Sequence, residues 1–337
     1  MKKLVLGALI VSSMMYAVSE VNVYTHRHYD ADRQLFSQFE AKTGIKINIV
    51  TAKASELLKR LEKEGIRSPA DIFITADVAR LHLAKERGLL QKANSQYLVD
   101  TVPTKLRDRD GQWFALTTRA RVIVYNKSKV NSNELSTYED MVNPKWKGRL
   151  LVRTGSNIYN TSFIASMIAS QGREAAKTWA AGVVKNLARA PRGGDTDQIR
   201  AVAAGLGDIA FVNTYYVGRL LNSKKSADVM AGKQIGVFFP NQASGERGAH
   251  INISGIALTK SSSKNRINAV RLMEFLVSPD AQYIFSEANS EFPANLEVEP
   301  SETLKSWGEF KADSFPLYKL GTYNAEAMKI VDEVNWK

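Results

Sequence analysis

Short apolar runs alternate with amphipathic stretches along the first part of the chain. The runs VNVYT, IKINIV and ADIFIT have the length and the β-branched content of buried strands. Between them, ADRQLFSQFEAKTG and ASELLKRLEKEG carry apolar residues at helical spacing and end in a glycine, which favours the left-handed cap of a helix. This alternation predicts βαβ units around a mainly parallel sheet.

A second series of the same kind follows a long extended segment. That segment, WFALTTRARVIVYN, has no helical period and is interpreted as a crossing between two lobes, with HINISGIALT as the return crossing. We therefore predict an α/β fold of two lobes joined by extended crossover strands, with a ligand cleft between them. The N-terminal lobe is predicted to comprise 20–118 and 245–292, and the C-terminal lobe 119–244 and 293–337.

The chain begins with MKKLVLGALIVSSMMYA, in which two lysines precede a short apolar run that ends at the small residue Ala17. This layout is typical of a secretory signal peptide, predicted here at 1–19, and a buried first helix is the alternative. No cysteine follows the run, so a lipid anchor is not expected. The mature protein is predicted to be exported to the periplasm and to be soluble there.

Composition excludes several kinds of chemistry. The chain has no cysteine, which rules out disulfides, iron–sulfur clusters, thiolate zinc sites and cysteine nucleophiles. Its formal net charge is +12, but the basic residues are interspersed with acids, as in RLEKEGIR, so nucleic acid is not a predicted partner. Phosphate-loop, dinucleotide, zincin and hydrolase-elbow motifs are absent, and we predict that the protein is not an enzyme.

Histidine and tyrosine side chains follow the ends of three predicted strands. His28 and Tyr29 lie in THRHYD after the first strand, and Tyr159 lies in TGSNIYNTSF between a strand and a helix. Tyr215 and Tyr216 follow DIAFV and open a helix, where two neighbouring side chains in the first turn can reach one point. Ligands of open α/β sheets bind at this edge, where helix N-termini converge. Taken singly, THRHYD is better explained as a loop with an exposed histidine and a half-buried tyrosine, and the Tyr215–Tyr216 pair as ordinary aromatic packing.

Several phenols at one place favour a particular kind of ligand. A phenolate oxygen is a hard anionic donor, and Fe³⁺ is a hard trivalent cation that matches it. Because the pKa of a free tyrosine is about 10, only a strongly charged cation removes several phenolic protons at neutral pH. The tyrosines therefore predict a ferric site if they converge.

At these residues the sequence resembles the periplasmic ferric-ion-binding proteins of bacterial ABC iron importers. The resemblance covers essentially the whole mature chain, through VNVYTHRHYD, ADIFITADVARLHLAKERGLL, RARVIVYN, HINISGIALTKSS and most specifically GDTDQIRAVAAGLGDIAFVNTYY. It implies that Tyr215 and Tyr216 are iron ligands. One branch of the family also uses a Glu, and this chain has Ala76 at that place. A tyrosine-rich branch implies Tyr29, Tyr159 and, as a fifth ligand, His28.

The resemblance also implies a mechanism and partners. Four phenolates around Fe³⁺ leave a formal charge of −1, which Arg119 or Arg121 would balance, or these arginines would hold a carbonate anion. A monomeric two-lobed protein of the type II periplasmic binding fold would close on ferric iron and deliver it to an inner-membrane ABC permease with its ATPase. The alternative is a relative of the same fold that carries a small organic solute such as thiamine or a polyamine. A hydrolase or transferase would need a nucleophile–base pair or paired acids, and none is evident at the strand ends.

Overall fold

The computed structural model of the chain describes residues 19–27 and 29–337. The predicted signal peptide therefore lies outside the described residues, apart from its last residue, Ser19. His28, the proposed fifth ligand, lies outside them as well. In the described part of the chain, no helix is both long enough and apolar enough to cross a membrane.

The strands alternate with helices in the order that the apolar pattern predicts. The strands in the described residues are β1 (Glu20–Thr25), β2 (Lys46–Thr51), β3 (Ile72–Ala76), β4 (Leu90–Gln91), β5 (Trp113–Asn126), β6 (Leu150–Leu151), β7 (Ile209–Asn213), β8 (Ile235–Phe238), β9 (Ile251–Thr259) and β10 (Phe292–Pro293).

The α-helices of the described residues range from four to fourteen residues in length. They are α1 (Asp30–Thr43), α2 (Ala54–Glu64), α3 (Val78–Glu86), α4 (Gln96–Thr101), α5 (Ile158–Gln171), α6 (Arg173–Lys185), α7 (Asp195–Ala203), α8 (Thr214–Leu221), α9 (Ser226–Gln234), α10 (Arg266–Val277), α11 (Pro279–Asn289), α12 (Glu302–Lys305), α13 (Lys319–Thr322) and α14 (Asn324–Glu333).

Hydrogen-bonded strands run in the order β2-β1-β3-β9-β5-β7-β6, with β4, β8 and β10 attached at the sides. β1 pairs in parallel with both β2 and β3, as the βαβ prediction requires. β9 enters antiparallel between β3 and β5. The carboxyl end of β7 is followed directly by α8, and α1 begins five residues after Thr25, the last residue of β1. These two edges hold the candidate site.

β5 is the long strand that joins the two α/β units. Its first part pairs with β9, ending at Ala120 opposite Ile251. Its last part pairs with β7 and β8, beginning with Arg121 opposite Asn213. The partner changes between Ala120 and Arg121, two residues beyond the boundary predicted at 118/119. The lobe limits themselves stay a prediction.

A third segment runs beside the two crossing strands. The amide of Ala249, just before β9, donates to the carbonyl of Lys311 at 2.8 Å, and the amide of Asp313 donates back to Ala249 at 2.8 Å. Gly248 permits this approach, because a Cβ there would lie 2.7 Å from the Lys311 carbonyl oxygen and its φ is +92°. The connection between the two units thus consists of three neighbouring chain segments.

Aromatic side chains fill the core of the second unit. Phe163 of α5 contacts Tyr138, Trp179 and Phe211, with ring centroids 4.6, 5.1 and 5.3 Å away. All three contacts are edge-on, the arrangement that aromatic pairs prefer. Because Phe163 and its neighbours are buried, α5 is held firmly against β7. The N-termini of α5 and α8 are therefore fixed on one rigid body.

Candidate metal centre

Tyr215 and Tyr216 lie in the first turn of α8, directly after β7. β7 is fully buried and ends at Asn213, and Thr214 begins the helix. The two rings lie close together, with centroids 4.3 Å apart and planes inclined by 33°. A regular strand would have sent neighbouring side chains to opposite faces, whereas the helical turn allows both to face one side.

Tyr159 reaches the same place from α5. The sequence pattern predicted that Tyr159 precedes the helix, but it lies in the first turn of α5, which begins at Ile158. The helix begins there because the Asn157 side chain caps it, accepting a hydrogen bond from the Tyr159 amide at 3.0 Å. The Tyr215 hydroxyl donates to the Tyr159 hydroxyl at 3.0 Å. Two phenols from segments far apart in sequence thus meet directly.

Tyr29 joins this group from the other unit, at the start of α1. The guanidinium of Arg219, one turn after the tyrosine pair, lies 5.2 Å from the Tyr29 ring. The same guanidinium lies 5.3 Å from the ring of Tyr216 and 5.8 Å from that of Tyr215. The guanidinium of Arg27 lies 4.8 Å from the same Tyr29 ring. Four tyrosines from three segments therefore surround one region.

Burial raises the pKa of three phenols of this cluster, those of Tyr29, Tyr215 and Tyr216, and so favours their protonated form. The pKa of Tyr215 is raised well above its ordinary value, first by burial and then by the neighbouring phenols of Tyr159 and Tyr216. The pKa of Tyr216 is raised by burial and by Tyr159. Burial and the carboxylate of Glu291 raise the pKa of Tyr29. Only a strongly charged cation would convert these groups to phenolates near neutral pH.

Arg119 lies beside the cluster and is almost completely buried, at 1% exposure. Its guanidinium carbon is 5.9 Å from the Tyr159 ring. None of its three side-chain nitrogens has a hydrogen-bond partner among the described residues. A buried charged donor without partners is rare and requires an explanation. The arrangement fits an anion or an anionic metal complex at this position.

Arg121, the other arginine predicted to balance charge, has different surroundings. Its guanidinium donates to the Asp195 carboxylate at 2.7 Å and to the Asn160 side chain at 2.8 Å. Both Arg121 and Asp195 are buried. The charge of Arg121 is therefore already matched by a protein carboxylate, in contrast to Arg119.

Asp77 directly follows Ala76, the position that is Glu in one branch of the family. The oxygens of the Asp77 carboxylate already accept hydrogen bonds from the protein. Its carboxylate accepts from Ser162 of α5 at 2.8 Å, from Asn252 of β9 at 2.9 Å and from the amide of Ala79 at 3.0 Å. The contact with Ser162 joins α3 to α5. Asp77 thus links the two units instead of facing the tyrosines with free oxygens.

Sequence reasoning missed the arginines that contact the phenols. Besides Arg219 and Arg27, the guanidinium of Arg153 lies 5.2 Å from the Tyr159 ring. Two of these could have been noticed, since Arg27 lies in THRHYD and Arg219 in NTYYVGRLL, the segments that carry the tyrosines. Within residues 19–27 and 29–337, no group of three or more His, Cys, Asp and Glu side chains is placed to hold a metal. In that part of the chain the hard donors at the site are phenols.

The fold and the site together define a solute-binding protein, and the chain belongs to the bacterial extracellular solute-binding protein family, whose model matches residues 67–312. It is 48% identical over 318 residues to iron uptake protein A1 of Synechocystis. The aligned region covers 94% of this chain and 88% of that protein.

Two solved structures have the same fold with high sequence identity. The ferric binding protein from Campylobacter jejuni superimposes with a TM-score of 0.88 and 50% identity, covering 93% of this chain and 99% of that one. A Trichodesmium protein (IdiA, FutA) in complex with iron and citrate superimposes with a TM-score of 0.90 and 47% identity, covering 95% and 100%. The predicted α/β, two-lobed type II periplasmic binding fold is confirmed by these similarities.

Proposed function

We propose that this chain captures ferric iron between its two lobes and delivers it to an inner-membrane ABC permease with its ATPase. The ligands are the phenolates of Tyr29, Tyr159, Tyr215 and Tyr216, with His28 as the fifth. The observation that carries this proposal is the convergence of the four phenols, in which the hydroxyls of Tyr159 and Tyr215 lie 3.0 Å apart. Relatives named for iron uptake and ferric iron binding support it.

The balance of charge explains how four phenolates can bind a trivalent cation in a buried site. Fe³⁺ with four phenolates has a formal charge of −1, and the unpartnered guanidinium of Arg119 lies beside Tyr159 to offset it. Arg119 is also the arginine best placed to hold a carbonate next to the metal, because its nitrogens have no protein partner within the described residues. Arg121 is the weaker candidate for that role, since Asp195 already neutralises it.

The proposed ligands are distributed over both units, and this explains why iron would favour closure. Tyr29 belongs to the unit of β1 and α1, whereas Tyr159, Tyr215 and Tyr216 belong to the unit of β7. Fe³⁺ coordinated by both sets stabilises the closed arrangement through bonds that the open one lacks. The protein is proposed to act as a monomer in the periplasm, to have no catalytic activity and to bind no nucleic acid.

The alternative ligands, thiamine or a polyamine, are not favoured. A buried group of hydrogen-bonded phenols beside an unpartnered guanidinium is unfavourable for an organic cation, because the guanidinium repels it. The high-identity relatives are named for iron and not for an organic solute.

Two tyrosine substitutions test the proposal. The signal-free protein is titrated with ferric iron, supplied with a weak chelator, and visible absorption is recorded. The wild type should develop a phenolate-to-iron absorption band, which Tyr215→Phe and Tyr216→Phe should weaken together with affinity. Tyr283→Phe is the matched control, because Tyr283 is 58% exposed on α11 and has no part in the site. A wild type without the band, or a band and affinity unchanged in both site variants, would refute the assignment.

A further inference from the structure

One buried carboxylate connects the two helices that carry the tyrosines of the second unit. Asp195 begins α7 and is fully buried, at 0% exposure. It accepts hydrogen bonds from Arg121 at 2.7 Å and from Arg153 at 3.1 Å. It also accepts from the backbone amide of Asn213 at 2.8 Å. A carboxylate with two guanidinium partners and one amide has little freedom to move.

Each of these partners leads to a tyrosine. Asn213 is the last residue of β7 and immediately precedes the turn that carries Tyr215 and Tyr216. Its amide therefore fixes the start of α8 against Asp195. The sequence motif GDTDQIRAVAAGLGDIAFVNTYY places Asp195 near its beginning and the tyrosine pair at its end, and the structure brings those two ends together.

The second route leads to Tyr159. Arg121, held by Asp195, donates to the Asn160 side chain at 2.8 Å, and the Asn160 amide group donates to the Arg153 carbonyl at 3.0 Å. Asn160 follows Tyr159 in the first turn of α5. Arg153 itself is held by Asp195 and lies 5.2 Å from the Tyr159 ring. The same carboxylate thus sets the positions of α5 and α8 relative to each other.

We propose that Asp195 is the positioning residue of the metal centre. It holds Tyr159 in place through Arg121 and Arg153, and it holds Tyr215 and Tyr216 in place through the Asn213 amide. This inference rests on the proposed ferric function. Metal affinity depends on ligand positions to within about half an ångström, so a shared anchor for two helices controls it directly.

The anchor also connects the metal centre to the crossing between the units. Arg121 is the first residue of β5 that pairs with β7 instead of β9. Its carbonyl accepts from the Tyr138 hydroxyl, which in turn accepts from the amide of His250 next to β9. Asp195 is therefore hydrogen-bonded, through Arg121, to β5, the strand that joins the two units.

The test compares Asp195→Asn with Asp197→Asn in the full mature protein. Asp197 lies in the same helix, its side chain is 54% exposed, and it accepts from the Gly194 amide without contacting a tyrosine. Removal of an outer-shell partner typically lowers metal affinity about 10- to 100-fold. We expect Asp195→Asn to show a loss in this range and a shifted, broadened phenolate-to-iron band. Asp197→Asn should match the wild type in both measurements.

A second pair of variants covers the case in which Asp195→Asn does not fold, since it leaves two buried arginines without their anion. Arg153 is 15% exposed, so Arg153→Gln is the milder change. It should also weaken affinity and shift the band, whereas Arg153→Lys, which keeps the charge, should restore most of both.

The outcomes separate this inference from the function on which it rests. If the wild type has no phenolate-to-iron band, the ferric function itself is wrong. If the wild type has the band and folded Asp195→Asn and Arg153→Gln retain its position and the wild-type affinity, the positioning role is wrong. A lower melting temperature with an unchanged band would mean that Asp195 is structural only, and would also overturn the inference.

Discussion

Acidification should release ferric iron with a steep dependence on pH. The pKa values of Tyr29, Tyr215 and Tyr216 are all raised above their ordinary value of 10.0 in the protein without metal. Each of these phenols therefore carries its proton at pH 7 and must lose it to bind iron as a phenolate. With the proposed coordination, the free protein binds at least three more protons than the complex, so affinity should rise with pH and fall on acidification.

The size of the effect follows from the number of protons displaced. At least three protons per ferric ion correspond to an apparent affinity that falls by about 1,000-fold or more for each pH unit between 7 and 6. Replacement of Tyr216 by Phe removes one of these protons, so the change in affinity per pH unit should become about 10-fold smaller. Tyr283→Phe, at an exposed position on α11, should keep the full slope.

Competition against a chelator of known protonation behaviour measures this slope. The fraction of loaded protein is read from the phenolate-to-iron band at several pH values, and the chelator's own pH dependence is subtracted. A corrected slope of 10-fold per unit or less would contradict coordination by several tyrosines. An unchanged slope in Tyr216→Phe would show that this phenol remains protonated or unbound in the complex.

Three further substitutions test the packing around the site. Arg27→Met should lower the free energy of unfolding by about 3–5 kcal/mol in urea denaturation, because it leaves two buried carboxylates without their cation; a loss below 1 kcal/mol would argue against this ion-pair network. Phe163→Ala should cost about 3–5 kcal/mol in the same assay, and a smaller loss would mean that the core collapses onto the gap. Gly321→Ala should lower the melting temperature, because the Cβ of the new alanine in α13 would lie 2.4 Å from the His82 ring in α3. An unchanged melting curve would show that α3 and α13 move apart without a loss of stability.

Much of the fold follows from the apolar pattern of the sequence. Strands β1, β2, β3, β5, β7 and β9 and their helices lie where the alternating runs predict them, because each buries a continuous apolar side or stripe. The two-residue strands β4 and β10 could not be predicted, since two residues carry no periodicity. β6 is equally short, because only Leu150 and Leu151 pair with β7.

The candidate site could be predicted only in part. Each tyrosine follows a strand, so its place at the sheet edge could be inferred, but convergence depends on packing between distant segments. Arg27 shows why: its carboxylate partner Glu291 is 264 residues away, and no local pattern connects them. Asp195 stands in a motif that the resemblance singled out, yet its role required the three-dimensional partners Arg121 and Arg153.

Arg119 and Arg121 show how one strand gives two similar residues opposite roles. They are two positions apart in β5, so the pleat directs both to the same side. Because the strand changes partners between them, Arg121 is hydrogen-bonded to Asp195, whereas Arg119 lies beside the phenol of Tyr159 and has no hydrogen-bond partner among the described residues. A buried guanidinium without hydrogen bonds is unfavourable, and the anionic phenolates of the proposed ferric complex would stabilise it. The charge of Arg119 therefore favours the arrangement in which the units close on iron over the same arrangement without it.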